Sequence, residues 1–174
     1  FCPTNPVEFL IVTAANFQFP DAVRDVLGQV GWSENRRTDV SSLVADLWAC
    51  GYEIHPAAQT ALESFAGLYI CGPTGLSLNF DNVAVVGRMY LRHQIESLMG
   101  GIFQGGYPIG QAFWACLFMR PDGSIFGIDY NGDNWFQFQS FEKLLEIALG
   151  TRPICSEERV RVIAADTKTS TRLL

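Results

Sequence analysis

The sequence predicts an α+β fold: a mainly antiparallel sheet, ending in a C-terminal meander, packed by N-terminal and C-terminal helices. Two patterns predict it. Helical periodicity dominates before residue 100, and short apolar runs separated by Asp-Gly and Asn-Gly turns dominate after it. The two kinds of element do not alternate, which disfavours a parallel α/β sheet. With 48% apolar and 17% charged residues, the 174-residue chain can bury a substantial core.

Taken in order, Val7 to Thr13 has the composition of a short strand. Pro20 suits a first helical position, and Val23, Val26, Leu27 and Val30 follow at the spacing of one helix face, closed by Gly31. Thr38 or Asp39 can cap a second helix whose apolar face is Leu43, Val44, Leu47 and Trp48. A third helix opens at Pro56 and carries Ala58, Ala61, Leu62 and Phe65 inward, stopping at Gly67. Strands are expected over 68–71 and 76–80, around the turn Gly72-Pro73-Thr74-Gly75. A fourth helix is expected over 88–99, with Leu91, Ile95 and Leu98 on its apolar side, followed by a glycine-rich loop through Gly106.

The last third alternates most clearly. Strands are expected over 112–119, 124–130 and 135–139, joined by Pro121-Asp122-Gly123 and Asn131-Gly132-Asp133. Ser140 then caps a helix with Phe141, Leu144, Leu145 and Ala148 inward, ended by Gly150. Beyond it only 160–164 reads as a strand. The chain divides into an N-terminal extension (1–19), one domain (20–150) and a C-terminal tail (151–174).

Charge and cysteine usage narrow the function classes. The net charge is −6, and residues 151–174 hold five basic against three acidic side chains, which leaves −8 on residues 1–150. That body repels nucleic acid and anionic lipid and attracts a basic partner. Five widely spaced cysteines with no C-x-x-C disfavour a disulfide framework or a zinc site and suit a reducing compartment, so a cytoplasmic location is expected. Cys50, Cys71 and Cys116 read as small core residues. The run Phe9-Leu10-Ile11-Val12 is too short to span a bilayer, and with Glu8 beside it and no basic residue before it no signal peptide is expected.

Little catalytic chemistry is legible. His55 precedes a helix-starting proline and suits a cap; His93 falls on a polar helix side. Asp129-x-Asn131-x-Asp133 resembles a calcium loop at its start, but the glycine and glutamate such a loop needs are Asn134 and Ser140 here. No P-loop, dinucleotide fingerprint or H-E-x-x-H occurs, and neither cofactor nor metal is expected. The strongest surface candidate lies around Trp135-Phe136-Gln137-Phe138-Gln139. If Phe136 and Phe138 face the core, Asp129, Tyr130, Asp133 and Trp135 form an acidic-aromatic patch suited to a protein interface. The alternative places Trp135 in the core and leaves the acids as turn formers. Trp32 and Arg37 are further candidates, although Trp32 can equally staple the first helix to the core.

An ordered set of landmarks runs through the chain. Gly31-Trp32-Ser33 precedes Arg36-Arg37 and Val40-Ser41; Gly51-Tyr52 and His55-Pro56-Ala57-Ala58 follow, then Phe65-Ala66-Gly67-Leu68, Tyr107-Pro108-Ile109-Gly110 and the Asp122-Gly123 hairpin. This set resembles the third immunity group of the SUKH superfamily over about residues 20–150. The resemblance implies an α+β fold and a non-enzymatic protein that binds and neutralises a cognate toxin of a bacterial polymorphic-toxin system; the acidic charge of residues 1–150 makes a basic nuclease one class of partner. It leaves an intracellular regulatory scaffold and an unrecognised hydrolase as alternatives. The family phrase Phe-Gly-Gly-Leu is Phe65-Ala66-Gly67-Leu68 here, a change that ordinary backbone angles at Ala66 would permit.

Overall fold

The computed structural model describes residues 17–72, 77–112, 115–132 and 134–151. Among the described residues six strands form one antiparallel sheet in which spatial order equals chain order. They are β1 (Tyr69–Cys71), β2 (Ser77–Asn79), β3 (Tyr107–Ala112), β4 (Ala115–Met119), β5 (Ile125–Asp129) and β6 (Trp135–Phe138). Around them lie α1 (Asp21–Gln29), α2 (Ser41–Ala49), α3 (Pro56–Phe65), α4 (Val83–Met89), α5 (Arg92–Met99) and α6 (Phe141–Ala148). The α+β expectation holds. The strands expected at 7–13 and 160–164 lie outside the described residues.

Every residue of β4 and β5 is buried, so the centre of the sheet is covered on both faces. Two aromatic clusters fill the space between sheet and helices. Phe65 on α3 is the hub of one, meeting Phe141 at 4.8 Å, Phe80 at 5.5 Å and Trp32 at 5.9 Å between ring centres. In the other, Phe118 stacks on Phe126 at 5.0 Å and both meet Phe103, with Tyr52 alongside. Burying each such ring contributes about 1.5–3 kcal/mol.

Two expectations are corrected. The single helix over 88–99 is two helices, because Tyr90 and Leu91 adopt extended backbone angles between α4 and α5. Side chains hold that break: Tyr52 donates its hydroxyl to the Tyr90 carbonyl, and Gln94 Oε1 accepts the Leu91 N–H at 3.1 Å. The single strand over 112–119 is likewise two, since β3 already runs from Tyr107 and its Ala112 pairs with Ala115 of β4. A proline at 108 hid the strand; it sits beside a bulge between Pro108 and Gly110, where a ladder tolerates it.

The second helix has Val40 at its N-cap, with Asp39 Oδ1 accepting the Ser41 N–H at 2.9 Å. Ala66 has φ −52° and ψ 136°, ordinary for any residue, while Gly67 carries the positive φ of 79°. The alanine in Phe65-Ala66-Gly67-Leu68 is therefore free of strain.

Candidate partner-binding surface

The β5–β6 hairpin is built on one cross-strand pair. Gly127 faces Phe136, and a Cβ at 127 would lie 2.1 Å from the Phe136 ring. The ring occupies the space a side chain would need, so Phe136 is buried and the register is fixed. Alternation then leaves Gln137 exposed, but Trp135 and Phe138 are half-buried and pack on the core.

Asp129 ends β5 as the organiser of the turn. Only 7% exposed, it donates its N–H to the Asn134 carbonyl at 2.9 Å, and its carboxylate accepts from Asn134 Nδ2 at 2.6 Å. Its carbonyl accepts from the Gly132 N–H at 3.1 Å and from the Tyr90 hydroxyl at 2.7 Å. The next residue, Tyr130, reaches the surface at 43% exposure, and partial burial still raises its phenol pKa. Leu98 of α5 packs against Gly132, whose φ of 79° suits glycine. Asp133 lies outside the described residues.

Trp32 and Arg37 sit elsewhere. Trp32 is 8% exposed, stacked on Phe65 and edge-on to Phe19 at 5.3 Å, and its indole N–H has no partner among the described residues. Arg37 is exposed; it donates to the Arg36 carbonyl at 2.7 Å and pairs with Glu63 at 4.0 Å. Both line a groove of about 660 Å³ with Arg24, Glu34 and Glu146. The five described candidates thus divide between a hairpin and a groove that, among the described residues, no hairpin residue lines.

His55 and Cys116 are held within the fold. His55 caps α3: its Nδ1 accepts from the Ala58 N–H at 3.2 Å, which leaves Nε2–H to donate to the Met119 carbonyl at 3.0 Å. Burial lowers its pKa and favours the neutral ring. Burial also pushes the Cys116 thiol up to about 12, far from a reactive thiolate. Among the described residues no group of three His, Cys, Asp or Glu side chains is placed to hold a metal ion, and no helix is long and apolar enough to cross a membrane.

The family model of the SUKH-3 immunity protein matches residues 19–149. The chain belongs to the SUKH-3 immunity protein family. No curated protein and no solved structure matches it.

The SUKH-3 match runs from Phe19, just before α1, to Leu149 at the C-cap of α6, and so spans the whole described sheet. Within this SUKH-3 fold the structure adds residues that periodicity did not single out. Arg36 donates from Nη1 to the Ser64 carbonyl at 2.8 Å and from Nη2 to the Ala66 carbonyl at 2.7 Å, capping the C-terminal end of α3. Trp48 and Leu98, expected inward, are 65% and 51% exposed, and Cys71 is exposed on the edge strand β1. Trp48 and Leu98 sit at the flanks of their helix faces, where sequence spacing gives the same signal for the last buried position and the first exposed one, while alternation along β1 puts Cys71 with Tyr69 on the outward face.

Proposed function

We propose that this chain is an immunity protein that binds a cognate bacterial toxin and neutralises it by stoichiometric contact in the cytoplasm. The observation that carries the reading is the SUKH-3 match across the entire described sheet. The geometry is of the required kind: a rigid platform that needs no reacting group, with a hairpin fixed by Gly127–Phe136 and by the bonds around Asp129. On this reading Tyr130 is a contact residue, Asp129 holds the turn that presents it, and Trp135 and Asp133 are further contact residues. Trp32 and Arg37 belong to a secondary contact region at the groove. The −8 charge of residues 1–150 supports a basic partner, such as a nuclease toxin whose own surface attracts phosphates.

The test is co-expression with the cognate toxin domain, which this reading expects to be encoded beside this chain's gene. Rescue of growth, together with recovery of a complex of fixed ratio from tagged protein, is expected. Undiminished killing by that toxin in the presence of folded protein would overturn the reading.

A further inference from the structure

We infer that the exposed face of α2 is a toxin-docking surface with Trp48 as its anchor, an inference that rests on the toxin-binding reading above. The face is fixed from below. Leu47 is fully buried, and a Cβ on Gly87 of α4 would lie 2.1 Å from its Cδ2, so α2 and α4 approach as closely as a glycine allows. That contact sets the rotation of α2 and turns the next side chain, Trp48, to solvent. Among the described residues Trp48 is the most exposed large apolar side chain.

Its surroundings suit a partner. Ser41, Ser42, Ala45 and Ala49 are also exposed, so the indole projects from a helix face of small side chains that another surface can approach closely. The charges on this face are carboxylates: Asp46 on the helix, Asp39 just before it and Glu53 just after, all exposed. No cation lies on α2; on the neighbouring elements Arg88 of α4 is exposed, and three arginines are engaged. Arg36 holds the α3 carbonyls, Arg37 pairs with Glu63, and Arg92 pairs with Glu96 at 2.9 Å and Glu53 at 4.0 Å.

A tryptophan at one edge of an exposed face of small residues, with Asp46 at the other edge, has the composition of an interface hot spot. Charge complementarity selects the occupant: a basic protein surface with an apolar pocket for the indole and Lys or Arg side chains at its rim. Those cations gain from the indole face as well as from Asp39 and Asp46. The carboxylates speed encounter, and the buried indole slows dissociation.

The experiment measures binding of an active-site-inactivated form of the cognate toxin domain to wild type, Trp48→Ala, Asp46→Lys and Tyr130→Ala. Because Trp48 is mostly in solvent, Trp48→Ala should keep the wild-type circular dichroism and thermal midpoint. It should weaken binding by about 30-fold or more, while Asp46→Lys slows association and flattens its dependence on salt. Binding by folded Trp48→Ala within about threefold of wild type, a difference below that of any hot spot, overturns the α2 inference and leaves the toxin-binding reading standing. A wild-type dimer that Trp48→Ala converts to monomer with unchanged toxin affinity overturns it as well, by assigning the face to self-association. Failure of wild type to bind the toxin at all removes both readings.

Discussion

The hydroxyl of Tyr90, in the break between α4 and α5, donates to the carbonyl of Asp129 at the end of β5, 2.7 Å away. The residue that interrupts the helix is therefore the one that fastens the hairpin. Tyr90→Phe removes this bond and leaves the ring in place. The expected cost is about 1 kcal/mol of stability, with faster amide exchange at Asp129 and Gly132 and no change in far-ultraviolet dichroism. Unaltered exchange at those two amides would detach the hairpin from Tyr90.

The Gly127–Phe136 pair predicts intolerance to any side chain at 127. Gly127→Ala should destabilise the protein by about 1–3 kcal/mol through overpacking, and adding Phe136→Leu should recover part of that loss by clearing the space. Urea unfolding of the single and double variants checks this. Additive losses would mean that the ring does not fill the glycine's place.

His55 predicts a pH dependence of defined sign. Its folded pKa lies below the unfolded value of 6.5, because burial disfavours the charged ring. The unfolded chain therefore binds the proton first. The histidine's contribution is complete above pH 6.5 and is lost as pH falls from 6.5 through the folded value. Protonation also places hydrogen on Nδ1, which then cannot accept from Ala58. His55→Asn keeps a capping oxygen without a titrating group, so its stability should fall less than that of wild type between pH 7.5 and 5.5. Parallel pH profiles for the two proteins would contradict the assignment.

Arg120 predicts the cost of removing a buried cation. Its Nε donates to the Ile102 carbonyl at 2.8 Å, its Nη1 lies 3.2 Å from Ser124 Oγ, and its guanidinium sits 5.2 Å from the centre of the Phe126 ring. Arg120→Met preserves most of the volume but leaves the Ile102 carbonyl without that donor, an expected loss of about 1–3 kcal/mol. A melting temperature equal to wild type would show that solvent or backbone movement satisfies that carbonyl instead.

Much of this architecture is legible in the residues. Pro20, Pro56 and Ser140 announce three helix starts, and Asp122-Gly123 and Asn131-Gly132 announce turns of the meander. What stayed hidden depends on contacts between distant residues. The break at Tyr90 needs Tyr52 to bond its carbonyl, and β3 needs β4 beside Pro108 before a proline-bearing segment reads as a strand. The same holds at the candidate surface. Asp129 has the sequence signature of a surface acid, yet the fold encloses it in bonds from Asn134 and Tyr90, while Trp48 ends a perfectly periodic apolar face and points outward. Local spacing fixes a helix face to within about one position, and that uncertainty separates a core tryptophan from an exposed one.

The central claim is neutralisation by stoichiometric contact, and titrating toxin activity tests it most directly. A fixed amount of the cognate toxin domain, once identified by the co-expression test, is mixed with increasing amounts of purified protein, and residual toxin activity is read after short and long incubations. The account predicts a linear loss of activity that ends at a fixed molar ratio, the same at both times. Complete loss at substoichiometric protein, progressing with incubation time, would contradict it and identify an enzyme that acts on the toxin.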